Sequence, residues 1–243
     1  MPTLMGGIVK EAKRGIRKVR KFLDQRTYSN PKLEKDIVTG FHRLYYDAAS
    51  LGKTWKNTRW LGVYTQKCPL DLWIYQETLW DTRPDVIVEC GTAEGGTTLY
   101  LASICDLIGS GRIVSVDIDT KPKRPVHPRI TYLSGSSTAP DVFAAVKKQI
   151  AQNEKVMVIL DSDHSKKHVD EELKIYSNLV SKDCYLIVED SNVNGHPVLP
   201  DHGPGPMEAI DEFLRKDDRF IIDDGKEKFY MTFNPRGYLK RVK

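Results

Sequence analysis

Long apolar runs are missing from this 243-residue sequence. No stretch reaches the ~18–20 apolar residues that a membrane-spanning helix needs. No apolar segment of ~7–15 residues follows the basic N-terminus, as one would in a secretory signal peptide. We therefore expect a cytoplasmic protein without a transmembrane segment.

Cysteine is also scarce, and the four cysteines include no C-x-x-C pair. That spacing argues against a zinc cluster. Cys90 and Cys184 lie in apolar runs that are typical of strands. We expect reduced and buried thiols, as is usual in the cytosol.

The net charge of +4 is unevenly distributed along the chain. Eight basic residues and only two acids lie between Lys10 and Arg26, so the rest of the chain is slightly acidic. This argues against a nucleic-acid-binding face spread over the fold. Apolar residues recur every three or four positions from Ile8 to Leu23, which predicts an amphipathic helix with a basic outer face. Such a helix would pack on the main body or on a second subunit of a homo-oligomer, or would contact an anionic membrane surface or polyanion.

From residue 83 onward, short apolar runs alternate with helical patterns. This alternation is typical of βαβ units and of a mostly parallel sheet. We predict an α/β protein with a Rossmann-like, doubly wound, mostly parallel seven-stranded sheet over residues 81–243. Residues 1–80 would form an N-terminal helical extension with a substrate-side loop. The predicted strands are 85–89, 112–117, 130–134, 156–160, 185–189, 220–222 and 229–233, and the predicted helices are 32–50, 70–80, 97–108, 139–152, 166–181 and 206–216.

A glycine-rich turn follows the first strand of this sheet, over residues 89–96 (ECGTAEGG). Ligands of open α/β sheets bind off the carboxyl ends of the strands, where glycines let the backbone approach them closely. The spacing is not G-x-G-x-x-G, which disfavours a nicotinamide dinucleotide. Asp117 ends the second strand and is placed to accept hydrogen bonds from a ribose diol, unless it is a solvated loop acid.

Acidic residues follow the next two apolar strands. Asp161 comes after one strand, and Glu189 and Asp190 come after the other. Three carboxylates at one sheet edge repel each other unless a proton or a cation bridges them. Oxygen ligands favour Mg²⁺ or Ca²⁺, and Mg²⁺ more where water and substrate complete an octahedron. The alternative is that these acids are separate caps for the following helices.

General bases are also available after the fourth strand. Asp161, Asp163 and His164 are candidates for the catalytic proton acceptor. His164 could equally orient a carboxylate. His168 lies four residues further on and would share a helix face with His164, but we expect a solvated histidine rather than a zinc pair.

The acceptor would contact two irregular segments. Residues 194–206 are rich in proline and glycine and predict a substrate-facing lid, or alternatively a rigid loop. Residues 53–68 are aromatic, polar and poorly periodic, which indicates a functional loop. The candidate substrate residues are His196, Asp201 and His202 in the first segment, and Tyr64, Gln66 and Lys67 in the second, while Trp55 and Trp60 suit either sugar stacking or packing.

With these motifs the chain resembles a known family. The segments are 60–63 (WLGV), 68–73 (CPLDLW), 88–96 (VECGTAEGG), 160–165 (LDSDHS), 188–197 (VEDSNVNGHP) and 203–210 (GPGPMEAI), and the last three together are highly specific. They are similar to the cephalosporin hydroxylase / rhamnosyl O-methyltransferase family of S-adenosylmethionine-dependent O-methyltransferases. The resemblance runs from about residue 60 to the C-terminus.

The resemblance implies roles for individual residues. Glu89, Gly91, Thr92 and the turn to Gly95 would hold the methionine and ribose parts of S-adenosylmethionine. Asp117 with Ile118 would bind the ribose, and Ser136 and Ser137 would lie by the adenine, with Asp161 also at the cofactor. The implied Mg²⁺ ligands are Asp161, Glu189 and Asp190.

The expected function is Mg²⁺-assisted methylation of a sugar hydroxyl, because a metal that chelates two neighbouring oxygens lowers a hydroxyl pKa and fixes its angle. The acceptor would be a small molecule or a glycan. Alternatives are methylation of a catechol-like or antibiotic natural product, a nicotinamide-dependent oxidoreductase, and a non-catalytic binding protein.

Overall fold

A computed structural model describes residues 14–19, 30–120 and 123–243. Residues 14–19 are helical, and the rest of the predicted basic helix over residues 8–23 lies outside the described residues. The chain divides into two compact units, residues 1–42 and residues 43–243. This division differs from the predicted one after residue 80, because residues 43–80 belong to the same compact unit as the sheet.

The helices and strands are short and closely spaced. Proline begins four of the described helices, at a position where its missing N–H costs no hydrogen bond. The helices are α1 (Pro31–Asp47), α2 (Pro69–Thr82), α3 (Gly96–Ile108), α4 (Pro140–Lys148), α5 (Lys166–Tyr176) and α6 (Pro206–Lys216), with 3₁₀ turns at Ala48–Leu51, Thr54–Asn57 and Asp224–Glu227. The strands are β1 (Arg59–Trp60), β2 (Val63–Tyr64), β3 (Val86–Cys90), β4 (Arg112–Asp117), β5 (Ile130–Ser134), β6 (Val156–Leu160), β7 (Tyr185–Val188), β8 (Phe220–Ile222) and β9 (Tyr238–Arg241).

Seven strands form the main sheet in the order β5-β4-β3-β6-β7-β9-β8. The strands from β5 to β7 are parallel, and β9 runs antiparallel to both β7 and β8. Strand β3 lies between β4 and β6, so the direction of winding reverses there and leaves a crevice beyond the carboxyl ends. The predicted fold class, a doubly wound and mostly parallel seven-stranded sheet, is confirmed.

The core surrounds the central strands. Every residue of β3, β6 and β7 is buried, which explains why these strands read as continuous apolar runs. The four cysteines are buried and unbridged, as expected. Among the described residues, none of the helices combines the length and the apolar character that crossing a bilayer requires.

Two predictions of local structure are wrong. Residues 229–233 form no strand, since Met231 and Phe233 pack instead with Cys68 in a second, smaller apolar cluster. The strand that completes the sheet is β9, whose Tyr238 and Leu239 are buried in the main core. Within the predicted loop over residues 53–68, β1 and β2 form a short antiparallel hairpin.

Candidate functional site

A cavity of about 690 Å³ lies beyond the carboxyl ends of the parallel strands. Its walls come from the segments that follow β3 to β7 and from the chain between α1 and α2. The lining residues are Tyr46, Trp55, Tyr64, Thr65, Gln66, Lys67, Gly91, Thr92, Ala93, Thr97, Val116, Asp117, Ile118, Gly135, Ser136, Ser137, Asp161, Ser162, Asp163, His164, His168, Asp190, Val193, Leu199 and His202.

The turn after β3 is held by close backbone contacts. Gly91 has a φ of +98°, and a Cβ atom built on it would lie 1.9 Å from the carbonyl oxygen of Asp161. Only glycine fits this position. Gly95, with a φ of +82°, precedes α3 and is not among the residues that line the cavity.

Glu89 lies behind the cavity and does not line it. Its Oε2 atom accepts hydrogen bonds from Thr98 at 2.5 Å and from Ser115 at 2.6 Å. Its Oε1 atom is buried and has no hydrogen-bond partner among the described residues. Burial raises the pKa of Glu89 to about 7. Glu89 therefore joins β3 to α3 and β4 behind the cavity.

Asp117 lines the cavity, but its carboxylate is already engaged by the protein. Oδ2 accepts the backbone N–H groups of Thr92 at 2.9 Å and of Ala93 at 2.7 Å, and lies 3.1 Å from the Arg124 guanidinium. Oδ1 accepts the N–H of Asp119 at 2.7 Å. Asp117 thus joins the turns after β3 and β4, and a ribose would share this carboxylate with those donors.

The segment after β5, where the adenine is predicted to bind, lies at the cavity. Ser136, Ser137 and Ile118 all line the cavity. The Ser137 hydroxyl lies 3.0 Å from His168 Nε2, and the backbone oxygen of Ser137 accepts the Tyr176 hydroxyl at 2.8 Å. Helix α5 therefore fixes this end of the cavity.

A buried lysine lies among the acids that follow β6 and β7. Lys67 Nζ is 2.6 Å from Asp161 Oδ2 and 2.6 Å from Glu189 Oε2. Burial disfavours the charged lysine, but the neighbouring carboxylates outweigh it and hold the pKa of Lys67 well above its ordinary value. Sequence reasoning gave Lys67 only a possible contact with the acceptor, because nothing in the aperiodic loop indicates a buried ion pair.

The candidate metal ligands are Asp161, His164 and Asp190. Each offers one ligand atom, and these atoms lie within 4.8 Å of one another. His164 Nε2 is 3.0 Å from Asp190 Oδ2. Asp190 adopts a φ of +53°, and its N–H donates to Asn234 Oδ1 at 3.1 Å. The structure thus brings together two of the three predicted ligands and adds His164.

Glu189, the third predicted ligand, does not join this cluster. Its carboxylate is buried, accepts a short hydrogen bond from the Tyr75 hydroxyl, and contacts Lys67 on its other oxygen. Glu189 contacts Tyr75 of α2, whereas Asp190, the next residue, has a φ of +53° and lines the cavity.

The charges in this region suit a divalent cation. Asp161, Glu189 and Asp190 contribute three carboxylates against the single ammonium of Lys67. Burial raises the pKa of Asp161 to about 6 and of Glu189 to about 7, although Lys67 lowers both. The single positive charge of Lys67 does not balance three carboxylates. A bound divalent cation would balance the remaining negative charge.

The third candidate base, Asp163, has a structural role. Its carboxylate accepts the N–H of Ser165 at 2.7 Å, at the start of α5, and this hydrogen bond lowers the pKa of Asp163. Asp163 thus stabilises the turn just before α5, whose N-cap residue is Ser165. His164 and Asp161 face the acid cluster and are the better-placed bases.

On the acceptor side, the structure brings some of the predicted residues together. Tyr64, Gln66 and His202 line the cavity. His196 and Asp201 do not line the cavity: His196 lies 2.8 Å from Glu208, and Asp201 is exposed.

Of the two tryptophans predicted near the acceptor, Trp55 lines the cavity and Trp60 does not. Trp55 lines the cavity beside Tyr46, with ring centroids 5.2 Å apart. Trp60 packs against Tyr100 at 4.8 Å and donates to Ser103, away from the cavity. Sequence analysis missed Tyr46, because it lies at the end of a helix whose pattern shows no sign of a site.

The chain matches the family described as rhamnosyl O-methyltransferase/CmcI over residues 52–242. A rhamnosyl O-methyltransferase of Mycobacterium tuberculosis (strain ATCC 25618 / H37Rv) is 37% identical over 217 residues, which cover 84% of this chain and 85% of that protein. The protein of the same name from Mycobacterium leprae (strain TN) is 38% identical over 213 residues, which cover 84% of this chain and 90% of that protein.

Solved structures agree with this family at the level of the fold. A structure of CmcI with Mg-SAM has a TM-score of 0.61 at 20% identity, covering 79% of each chain. A structure of CmcI with SAH has a TM-score of 0.58 at 18% identity, covering 81% of this chain and 91% of the other. The chain therefore belongs to the rhamnosyl O-methyltransferase/CmcI family, and the resemblance drawn from its sequence is confirmed.

Proposed function

We propose that this chain is an S-adenosylmethionine-dependent, Mg²⁺-assisted O-methyltransferase that acts on a sugar hydroxyl. The observation that carries the proposal is the under-compensated acid cluster at the strand ends of a methyltransferase fold. The two mycobacterial relatives carry the name rhamnosyl O-methyltransferase, which supports a deoxysugar acceptor. Mg-SAM and SAH occur in the CmcI structures, which supports the cofactor pair.

For S-adenosylmethionine, we assign the end of the cavity between β3 and β5. Gly91 and Thr92 bring the backbone close to the ligand, and Asp117 with Ile118 faces the ribose. Ser136 and Ser137 lie at the adenine. Glu89 and Gly95 act from outside the lining, by supporting the turn.

For the metal, we assign Asp161 and Asp190 as carboxylate ligands. Mg²⁺ at this position supplies the positive charge that lowers the pKa of a chelated hydroxyl. His164 lies against Asp190 and serves either as a third ligand or as the base that accepts the hydroxyl proton. Glu189 stays a predicted ligand, and it would have to loosen its contact with Lys67 to reach the metal.

For the acceptor, we assign the wall formed by Tyr46 and Trp55. These rings lie beside Asp190 and offer an apolar surface to one face of a sugar. Tyr64, Gln66 and His202 offer polar groups around it. The acceptor is therefore a small molecule or the end of a glycan that enters from this side.

A methyl-transfer assay tests the proposal. The purified chain is incubated with S-adenosylmethionine and either a methyl rhamnoside or a catechol, with Mg²⁺ or with EDTA. We expect methylation of the rhamnoside that EDTA abolishes. The Asp161→Asn and Asp190→Asn variants should lose it, whereas Asp163→Asn, in the same segment, should retain most of it. Methylation of both acceptors that is insensitive to EDTA would contradict the proposal.

Two further parts of the proposal rest on the sequence alone. We infer that the protein works in the cytoplasm and assembles as a homo-oligomer through its N-terminal helices. Light scattering of the purified chain tests the assembly, and cell fractionation tests the location. A monomer at micromolar concentration would overturn the inferred assembly.

A further inference from the structure

We propose that Lys67 is a built-in counter-cation for the acid cluster, one that keeps the site folded without a metal and lowers its affinity for divalent ions. The inference rests on the metal site of the proposed function. Lys67 contacts two acids of that site and has no role in the proposed reaction.

Lys67 is held firmly in place between two acids. Its side chain is only 7% exposed, and its ammonium lies 2.6 Å from Asp161 and 2.6 Å from Glu189. The backbone N–H of Lys67 donates to the Thr58 hydroxyl at 3.1 Å, and helix α2 begins two residues later. The ammonium therefore has little freedom to leave the acids.

The acids are also fixed from their other side. Tyr75 donates to Glu189, and Asn234 Nδ2 donates to the Tyr75 hydroxyl at 3.3 Å. The same Asn234 accepts the N–H of Asp190. Tyr75 and Asn234 thus hold Glu189 and Asp190 close together, and the mutual repulsion of these acids must be offset by a nearby positive charge.

Removal of the Lys67 ammonium should lower the stability of the fold and raise its affinity for a divalent cation. Loss of the ammonium leaves three carboxylates without a compensating charge, two of them buried or nearly so, which destabilises the fold. The same loss makes the cluster more negative, which strengthens its attraction for a divalent cation. A lysine that serves only for packing would produce the first effect without the second.

Thermal unfolding and calorimetric titration with MgCl₂ test the proposal. For wild type we expect a Tm that changes little with Mg²⁺. For Lys67→Met we expect a lower Tm without Mg²⁺, recovery of the Tm with Mg²⁺, and at least about tenfold tighter Mg²⁺ binding. Lys67→Arg keeps the charge and should resemble wild type in all of these measurements.

A matched control exists on the surface. Lys166 also bridges two acids, Asp170 at 2.5 Å and Glu212 at 2.7 Å, but it lies outside the cavity lining. Lys166→Met should leave Mg²⁺ binding unchanged.

If Lys67→Met does not fold, the double variant Lys67→Met/Glu189→Gln keeps the test open. It removes one charge of each sign and should have a Tm close to wild type without Mg²⁺.

The outcomes separate this inference from the proposed function. If wild type binds Mg²⁺ and Lys67→Met binds it equally or more weakly, the counter-cation role is overturned and the metal-assisted function stands. If only Lys67→Met binds Mg²⁺, the counter-cation role is supported and metal assistance in the wild-type enzyme fails. If neither binds Mg²⁺, both are overturned.

Discussion

Gly91 and Asp161 approach each other so closely that no side chain fits between them. A Cβ atom on Gly91 would lie 1.9 Å from the Asp161 carbonyl oxygen. The N–H of Asp161 donates to Cys90 at 2.7 Å, and the N–H of Gly91 donates to Val116 at 2.8 Å. The contact therefore joins the ends of three strands, and it places the acid cluster directly beside the turn that faces the cofactor.

Alanine at position 91 should disrupt both halves of the site. We expect Gly91→Ala to abolish measurable S-adenosylmethionine binding in calorimetry and to weaken Mg²⁺ binding, because the turn and Asp161 must move apart. Gly109→Ala is the control, since Gly109 also has a positive φ but nothing lies within 4 Å of its Cβ position. It should lose only about 1 kcal/mol of stability and bind the cofactor normally. Cofactor binding by Gly91→Ala that equals wild type would refute the prediction.

Removal of the Asn234 amide should loosen Asp190. Asn234→Ala leaves the Asp190 N–H without its acceptor and removes the amide that donates to the Tyr75 hydroxyl oxygen, which we expect to cost about 1–3 kcal/mol of stability. Mg²⁺ affinity should also fall, as measured by titration at a temperature where the variant is folded. Asn178→Ala, at an exposed position after α5, removes hydrogen bonds with Lys174 and Arg219 and should leave Mg²⁺ affinity unchanged. Unchanged Mg²⁺ affinity in Asn234→Ala would show that Asp190 needs no such support.

The two tryptophans of the loop before α2 should respond differently to substitution. Trp55→Phe removes part of the cavity wall, so we expect a higher KM for the acceptor with an unchanged affinity for S-adenosylmethionine. Trp60→Phe removes a hydrogen bond to Ser103 outside the cavity and should lower only the Tm. Steady-state kinetics with each variant checks this. Equal acceptor KM values in both variants would remove Trp55 from the acceptor wall.

The buried carboxyl of Asp71 should make stability depend on pH. It accepts the Thr232 hydroxyl at 2.5 Å, and the Phe233 N–H and Tyr238 hydroxyl at 2.9 Å each. Burial nevertheless raises the pKa of Asp71 to about 7. The folded state thus keeps a proton that the unfolded state releases near pH ~4, so this residue's contribution falls as the pH rises from about 4 to about 7.

Asp71→Asn removes this titration. We expect the free energy of unfolding of wild type, relative to the variant, to decrease by a few kcal/mol between about pH 5 and about pH 8. Urea unfolding at the two pH values measures the difference. A wild-type advantage that grows toward high pH would mean that the carboxylate is ionised in the folded protein at low pH.

The sequence predicts those parts of the site that follow from local pattern. Asp161 and Asp190 come directly after continuous apolar strands, and parallel strands bring such positions to one edge of the sheet. Local sequence pattern cannot predict which way the Glu189 side chain points. Its contacts are Lys67 and Tyr75, more than a hundred residues away in the chain, and no periodicity encodes that pairing.

Long-range packing also explains why the sequence analysis misassigned residues 229–233 and missed β9 and Tyr46. Residues 229–233 are apolar because they cover Cys68 and the aromatic rings near Tyr46, not because they pair in the sheet. Strand β9 is short and half polar, so its sequence gives a weak signal. Tyr46 belongs to the cavity only because the end of the chain returns to it through Phe233, with ring centroids 5.6 Å apart.

The hydrogen bonds that join Asp71 to Thr232 and Tyr238 span 161 and 167 positions of the chain. During synthesis, Lys67 and Asp71 emerge from the ribosome long before their partners exist. Asp71 can gain these partners only after almost the whole chain has been translated. The nascent chain therefore carries the Asp71 carboxyl without these partners through most of translation. Its burial waits for the C-terminal strand that carries Tyr238.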